Sequence, residues 1–334
     1  MGWWKQQRRR LEVGLARLAM GVVNRLPRPV VLGLARFLGA AGYLLARSLR
    51  RIGLANLDLA YGEALTGREK RRLLKRSFQS FALVTLDVFW FSRRTEQRIR
   101  RWVSFERPLS EVLGRGANVC LTGHLGNWEV LGLACAVEGY PLASVAMPLK
   151  NPDVDVLFNR LRQSTGQTII PREGAVRALL RLLREGRNAA LLLDQNTRPE
   201  HGGLFVDFFG RPATVSGAAV FLAARAGCGI VSGFCLPDGR GGYRVRLPDG
   251  LGVPPPKPDD TRVREWTEKI TRLYEDEIRR RPECWLWTYK RWRMIRPGDD
   301  VRAYPFYAVQ RRNGVRRTSA AERSPAGGVP TGSS

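Results

Sequence analysis

The residues best suited to chemistry lie in one short segment, Thr122-Gly123-His124-Leu125-Gly126-Asn127-Trp128-Glu129. Imidazole is the side chain whose unperturbed pKa lies nearest neutrality, which makes a histidine in a His-poor chain a candidate general base. His124 and His201 are the two histidines in 334 residues. Glu129 follows five positions after His124. On one continuous helix the two would lie about 140° apart and would not meet. Gly123 and Gly126 flank the histidine, and glycine lets the chain turn between the two groups. A carboxylate brought against the ring would fix its tautomer and stabilise the imidazolium formed when it accepts a proton. No serine or cysteine sits in a nucleophile elbow, so a direct transfer is favoured over a covalent enzyme intermediate.

Positioning such a pair requires a strand before it and a helix after it. The segment 118–122 (NVCLT) reads as a buried strand. Asn127 is a plausible N-cap for a helix over 128–137, which puts Glu129 in the first helical turn. Strand patterns recur at 142–147, 168–170, 189–193, 229–236 and 243–247. Helical patterns recur at 151–164, 175–185, 216–226 and 259–281. This alternation predicts an α/β fold, a central mixed sheet flanked by helices. In open α/β sheets ligands bind beyond the carboxyl ends of the strands, which is where His124 falls.

The N-terminal third has a different texture. Residues 1–100 hold 21 Lys+Arg against six Asp+Glu, within a chain whose formal net charge is +26. Trp3 and Trp4 precede a basic block, and residues 30–46 are apolar apart from Arg36. A stretch of about 17 residues is at the low end of what crosses a bilayer. Three placements remain open: a helix lying at the membrane surface, a short spanning anchor, and a core helix. A capping box at Thr66 and Glu69 opens a further amphipathic helix. The expected division is N-terminal membrane-anchoring helices over 1–50, an α/β domain over 51–297, and an extension over 298–334, disordered from about 311.

Composition excludes several classes. With 44% hydrophobic residues the chain is not disordered, and with 26% charged residues it is not a multi-span membrane protein. Five cysteines are scattered with no C-x-x-C spacing, so neither a disulfide framework, a metal site nor a cofactor is indicated. Only seven of the basic residues are Lys, and the arginine excess favours phosphate-bearing or acidic partners. A nucleic-acid-binding protein is the rival of a different class. Against it, no helix-turn-helix, zinc-finger or RNA-recognition signature is present.

The segment GHLGNWE resembles the His-x4-acid motif of glycerolipid acyltransferases, and more narrowly the lipid A late acyltransferases, the lauroyl/myristoyl transferases of Gram-negative bacteria. Four other segments share the resemblance: RRIGLANLDLAYGE (50–63), LLLDQ (191–195), GLFVDFFGRPAT (203–214) and EIRRRPECWLWTYKRW (277–292). In the last, Cys284 and Tyr289 stand where that family usually has Gln and His. The resemblance implies transfer of a fatty acyl chain from acyl carrier protein to a hydroxyl of a lipid A precursor, a glucosamine-based phosphoglycolipid. Another glycolipid acceptor, such as a phosphatidylinositol mannoside, remains the alternative. It implies His124 as base, oriented by Glu129. Asn127, N–H groups at the helix start, or Arg172 would serve the oxyanion, and Arg172 would also suit a phosphate. Asp194 and Gln195, ending a strand on the same rim, would position substrate. Phe208, Phe209 and Gly210 would belong to an acyl-chain or lid region, against the commoner placement of an aromatic pair in the core. Trp285, Trp287 and Trp292, interleaved with basic residues, would suit either a membrane interface or a packed helix end. The location implied is the cytoplasmic face of the bacterial inner membrane, with membrane lipids as partners and no nucleic acid.

Overall fold

The computed structural model describes residues 3–114, 116–171, 173–312 and 315–318, so the expectations for Arg172 and for the chain beyond 318 fall outside the described residues. Four helices open the chain: α1 (Trp3–Val23), α2 (Arg28–Leu45), α3 (Arg47–Tyr61) and α4 (Gly67–Trp90). Pro27 and Pro29 mark the start of α2, where a missing N–H costs no helical hydrogen bond. Thr66 and Glu69 form the expected capping box on α4: Thr66 N donates to Glu69 Oε2 at 2.8 Å, and Glu69 N donates to Thr66 Oγ1 at 3.3 Å.

The helix α2 lies along α4. Val31, Ala35 and Gly39 form its buried stripe. A Cβ on Gly39 would come within 2.3 Å of Gln79 Cα, so the two helices cross at a distance only glycine permits. The opposite side is open, with Phe37 70% and Leu45 82% exposed. It is the one described helix long and apolar enough to cross a membrane.

A connecting region follows: α5 (Thr95–Trp102), β1 (Val103–Phe105) and α6 (Leu109–Leu113). Then strands and helices alternate as β2 (Asn118–Thr122), α7 (Trp128–Val137), β3 (Leu142–Ala146), α8 (Pro152–Gln163), β4 (Thr168–Pro171), α9 (Ala175–Arg184) and β5 (Asn188–Leu192). A hairpin of β6 (Gly203–Phe208) and β7 (Arg211–Ser216) leads to α10 (Ala218–Ala226) and β8 (Gly229–Ser232). The chain continues through β9 (Phe234–Pro237), β10 (Tyr243–Arg246) and α11 (Asp260–Arg280).

The central sheet has five strands in the order β4-β3-β5-β2-β8, and every pairing in it is parallel. The mixed pairing lies in a smaller sheet, β1-β10-β9, where β10 runs parallel to β1 and antiparallel to β9. Sequence patterning gives one strand over 229–236; the chain breaks at Gly233 and serves both sheets. Side chains alternate across the central sheet as the pleat requires. Val119, Leu121 and Ala189 pack with α9, α10 and α11 on one face. Ala190 and Val231 pack with α2, α4 and α7 on the other.

Trp285, Trp287 and Trp292 are buried at 0–2% exposure, so they form core rather than a membrane belt. Phe208 and Phe209 are buried among them, with ring centroids 5.7 Å (Phe208–Trp285) and 6.1 Å (Phe209–Trp287) apart. Among the described residues beyond 297 is a strand pair, β11 (Val309–Arg312) with β12 (Val315–Thr318).

Candidate active site

His124 follows the carboxyl end of β2, and the backbone around it is held from two sides. Asn127 N donates to Cys235 O at 2.8 Å and Gly126 N to Cys284 O at 3.0 Å. Leu286 N donates to His124 O at 3.2 Å. Gly126 adopts φ 70°, and a Cβ there would lie 2.1 Å from Cys235 O. Positive φ and this close approach together demand glycine.

The imidazole is bonded to Asp194, two residues beyond the end of β5. His124 Nδ1 lies 2.9 Å from Asp194 Oδ1, and the His124 backbone N–H donates to Oδ2 at 2.8 Å. Trp285 Nε1 also donates to Oδ2, at 2.9 Å. The carboxylate is thus fixed by three donors and is almost fully buried. Gln195 Nε2 stands 3.2 Å from His124 Nε2 and 3.4 Å from Nδ1. Trp128 meets the imidazole edge-on at 4.7 Å between centroids, and Phe81 stacks on Trp128 from the outside.

Glu129 has a different partner from the one its spacing suggests. Arg162 of α8 donates to it through two nitrogens, Nη2 to Oε1 at 2.6 Å and Nε to Oε2 at 2.8 Å. This bidentate ion pair fixes the carboxylate. The hydrogen bond expected to orient His124 from Glu129 therefore comes from Asp194, and Glu129 acts on the ring through its charge.

The electrostatics follow this geometry. Burial alone would depress the His124 pKa, but the charge and hydrogen bond of Asp194, with a lesser contribution from Glu129, raise it above the ordinary 6.5. Burial would raise the Asp194 carboxyl, yet the pairing with His124 and the Trp285 hydrogen bond hold it below its ordinary value. Both directions describe a pair that favours imidazolium beside carboxylate.

Asn127 is a correction. Its side chain is fully buried and its amide fully used. Oδ1 caps α7 by accepting from Val130 N at 3.1 Å; Nδ2 donates to Asp87 Oδ2 at 3.1 Å and to the Tyr243 hydroxyl at 3.0 Å. Asp87 in turn pairs with Arg28, and Tyr243 donates to it. Asn127 thus anchors the loop that carries His124 to α2, α4 and β10, and both of its amide hydrogens are used there. Arg172 lies outside the described residues.

His124, Asp194 and Gln195 come together. Glu129 lies near enough to His124 for its charge to act there, but bonds to Arg162. Sequence reasoning missed Arg162 and the indole N–H of Trp285, since neither carries a local signal among 49 Arg and nine Trp. The role of Asp194 had a signal, its place at the end of a rim strand, but not the fact that β5 is the neighbour of β2. Between the sheet and helices α6 and α7 lies an apolar cavity of about 40 Å³, lined by Cys120, Leu131, Cys135 and Ala190 among others. Thr122 Oγ1 and Ser232 Oγ line it and are buried without a hydrogen-bond partner. Among the described residues no group of three or more His, Cys, Asp or Glu is arranged to hold a metal ion.

The family described as bacterial lipid A biosynthesis acyltransferase matches residues 6–294. The lipid A biosynthesis palmitoleoyltransferase of Escherichia coli (strain K12) is 24% identical over 282 residues, 80% of this chain and 87% of that protein. A phosphatidylinositol mannoside acyltransferase of Mycobacterium tuberculosis is 28% identical over 184 residues, 52% of this chain and 57% of that one. Among solved structures, the 1-acyl-sn-glycerophosphate acyltransferase PlsC of Thermotoga maritima aligns with a TM-score of 0.34 at 14% identity, over 76% of this chain and 100% of that one.

Proposed function

The chain belongs to the bacterial lipid A biosynthesis acyltransferases, enzymes of acyl transfer onto glycolipids, and from that premise we propose that it moves a fatty acyl chain from acyl carrier protein to a hydroxyl of a lipid A precursor. The observation that carries this reading is the His124–Asp194 pair at the carboxyl edge of the parallel sheet. With Nδ1–H donated to Asp194, His124 Nε2 carries the free lone pair and faces the position now met by Gln195.

The acceptor hydroxyl takes the place of the Gln195 amide at Nε2 and gives up its proton there as its oxygen attacks the thioester carbonyl. The tetrahedral adduct collapses by breaking the C–S bond. The thiolate takes the proton back from Nε2, which restores the neutral base. Asp194 stabilises the imidazolium in between, and Glu129, held by Arg162, adds a second negative charge. The helix α7 begins four residues after the base, so its partly positive N-terminus favours the developing oxyanion. The acyl chain lies against the apolar wall of the cavity below, which must widen to admit it.

The open side of α1 and α2 supports a position at a membrane surface. Trp3, Trp4, Phe37 and Leu45 are exposed there, while Val31, Ala35 and the Arg28–Asp87 pair bind α2 to the protein body. This arrangement favours a surface-lying α2 over a spanning one, at the cytoplasmic face of the inner membrane.

A second acceptor, a phosphatidylinositol mannoside, is favoured by the mycobacterial relative. Mass spectrometry after incubation of the purified protein with acyl-loaded carrier protein decides between them. The lipid A precursor is expected to gain one acyl mass, and His124→Ala to abolish the gain. A gain on the mannoside alone establishes the second reading, and no gain on either sinks both.

A further inference from the structure

On the outer surface of the sheet-packed helices α9 and α10 runs a cleft of about 900 Å³. The inward face of α9, through Leu179, Leu182 and Leu183, is buried in the core. Its outward face carries Val176, 46% exposed, together with Arg177, Arg181 and Arg184. From α10 comes Phe221, 41% exposed, with the Arg225 guanidinium 5.5 Å from its ring centroid. The cleft is therefore an apolar floor bordered by positive charge.

That charge is largely free. Arg181 approaches Glu185 at 3.8 Å, an exposed i,i+4 contact of small worth. Arg177 and Arg184 make no ion pair among the described residues. The other arginine-rich cleft, beside β9 and β10, contrasts with this. There Arg246 is paired with Glu106 and Glu277, and Arg281 with Glu283. Of the four arginines lining that cleft, two are thus paired within the protein, while Arg240 and Arg244 make no ion pair among the described residues; in the α9–α10 cleft the only contact of this kind is the weak Arg181–Glu185 one.

Topology places the cleft within reach of the base. The helix α9 follows β4, and α10 precedes β8, so both begin at the sheet edge that holds His124. From β4 to β2 is three strand steps, about 14 Å. The buried stripe of α2 packs with α7 on one side of the sheet, whereas α9 and α10 pack on the other. The cleft thus lies on the sheet face opposite to α7 and the buried stripe of α2.

We propose that the α9–α10 cleft is the docking face for the acyl-carrying protein: an acidic helix of the carrier sets its carboxylates against Arg177, Arg181 and Arg184 and its apolar side chains on Val176 and Phe221. Its thioester-bearing arm then crosses the sheet edge to His124. The inference rests on the carrier-protein donor of the preceding reading. Complementary charge of this kind acts mainly on encounter rate and salt dependence.

The test compares two donors with the full-length protein: acyl-loaded carrier protein, and the same acyl chain on N-acetylcysteamine, which has no protein to dock. The triple variant Arg177→Glu/Arg181→Glu/Arg184→Glu is expected to lower kcat/KM for the carrier donor by about tenfold or more, chiefly through KM. Its rate with the small thioester should be unchanged, and the steep salt dependence of the wild type should flatten. The single variants Arg177→Ala and Arg184→Ala, checked by thermal unfolding, cover the case in which the triple variant folds poorly; each should show a smaller loss in the same direction. Unaltered carrier KM in all of them, or equal loss with both donors, overturns the docking face while leaving the carrier as donor. A wild type that uses both donors equally well overturns the carrier reading itself. Loss of binding to phosphatidylethanolamine/phosphatidylglycerol vesicles with unaltered carrier KM would make the cleft a membrane contact and overturn the proposal.

Discussion

Replacing Asp194 by Asn tests the base most directly, because the hydrogen bonds dictate which way the amide must sit. Oδ2 accepts two N–H donors, from the His124 backbone and the Trp285 indole, while Oδ1 meets only His124 Nδ1. An amide keeps both donors at Oδ2 satisfied only by placing its oxygen there. Its NH2 then occupies the Oδ1 position and donates to Nδ1. That forces the imidazole proton to Nε2, the atom that must accept one from the acceptor alcohol. The alternative orientation sets an NH2 against two N–H donors and costs buried hydrogen bonds of about 1–3 kcal/mol each. Loss of general-base function is expected to lower kcat by roughly 10²–10⁴, which is about 3–5 kcal/mol of transition-state stabilisation. Steady-state rates with acyl-loaded carrier protein and the glycolipid acceptor measure it directly. The pH profile supplies a second readout. With His124 as the proposed base, wild-type activity is expected to rise as His124 loses its proton, with the acid limb above pH 6.5, the ordinary imidazole value. Removing the Asp194 charge should move that limb to lower pH. A variant with near-wild-type kcat and an unmoved limb would refute the assignment of Asp194 as the group that orients the base.

Other perturbations separate chemistry from architecture. Glu129→Gln should also lower kcat, but with a smaller displacement of the acid limb, because the contribution of Glu129 to the His124 shift ranks below that of Asp194; a pH–rate series on both variants checks the order. Asp87→Ala leaves Arg28 buried without its carboxylate, and a loss of about 3–5 kcal/mol is expected in chemical denaturation. Gly126→Ala combines positive φ with a Cβ 2.1 Å from Cys235 O, and about 2–4 kcal/mol of stability together with activity should be lost; unchanged melting would contradict the close approach. Phe37→Glu/Leu45→Glu should reduce sedimentation with anionic vesicles while leaving the melting temperature unchanged, since both side chains are exposed.

Much of this protein is written locally. Thr66 and Glu69 specify the start of α4 because a capping box closes within four residues. The buried strand over 118–122 and the helix over 128–137 agree with β2 and α7 residue for residue, since a short apolar run followed by an Asn cap leaves little alternative. His124 stood out by chemistry and scarcity. What the sequence left undetermined was everything that depends on which strands are neighbours. Glu129, five residues away, looked like the partner of the base, yet Asp194, seventy residues away, bonds to it because β5 lies beside β2 in a parallel sheet. Once that carboxylate occupies Nδ1, Glu129 is left to the guanidinium of Arg162, carried in by α8. Asn127 offered its cap to local reasoning, but the donors on its other side were claimed by Asp87 and Tyr243, residues 40 and 116 positions distant. Periodicity and capping act over a few residues and are legible in order along the chain. Charge pairing and hydrogen bonding act through space, and only the packing of strands and helices decides which groups meet.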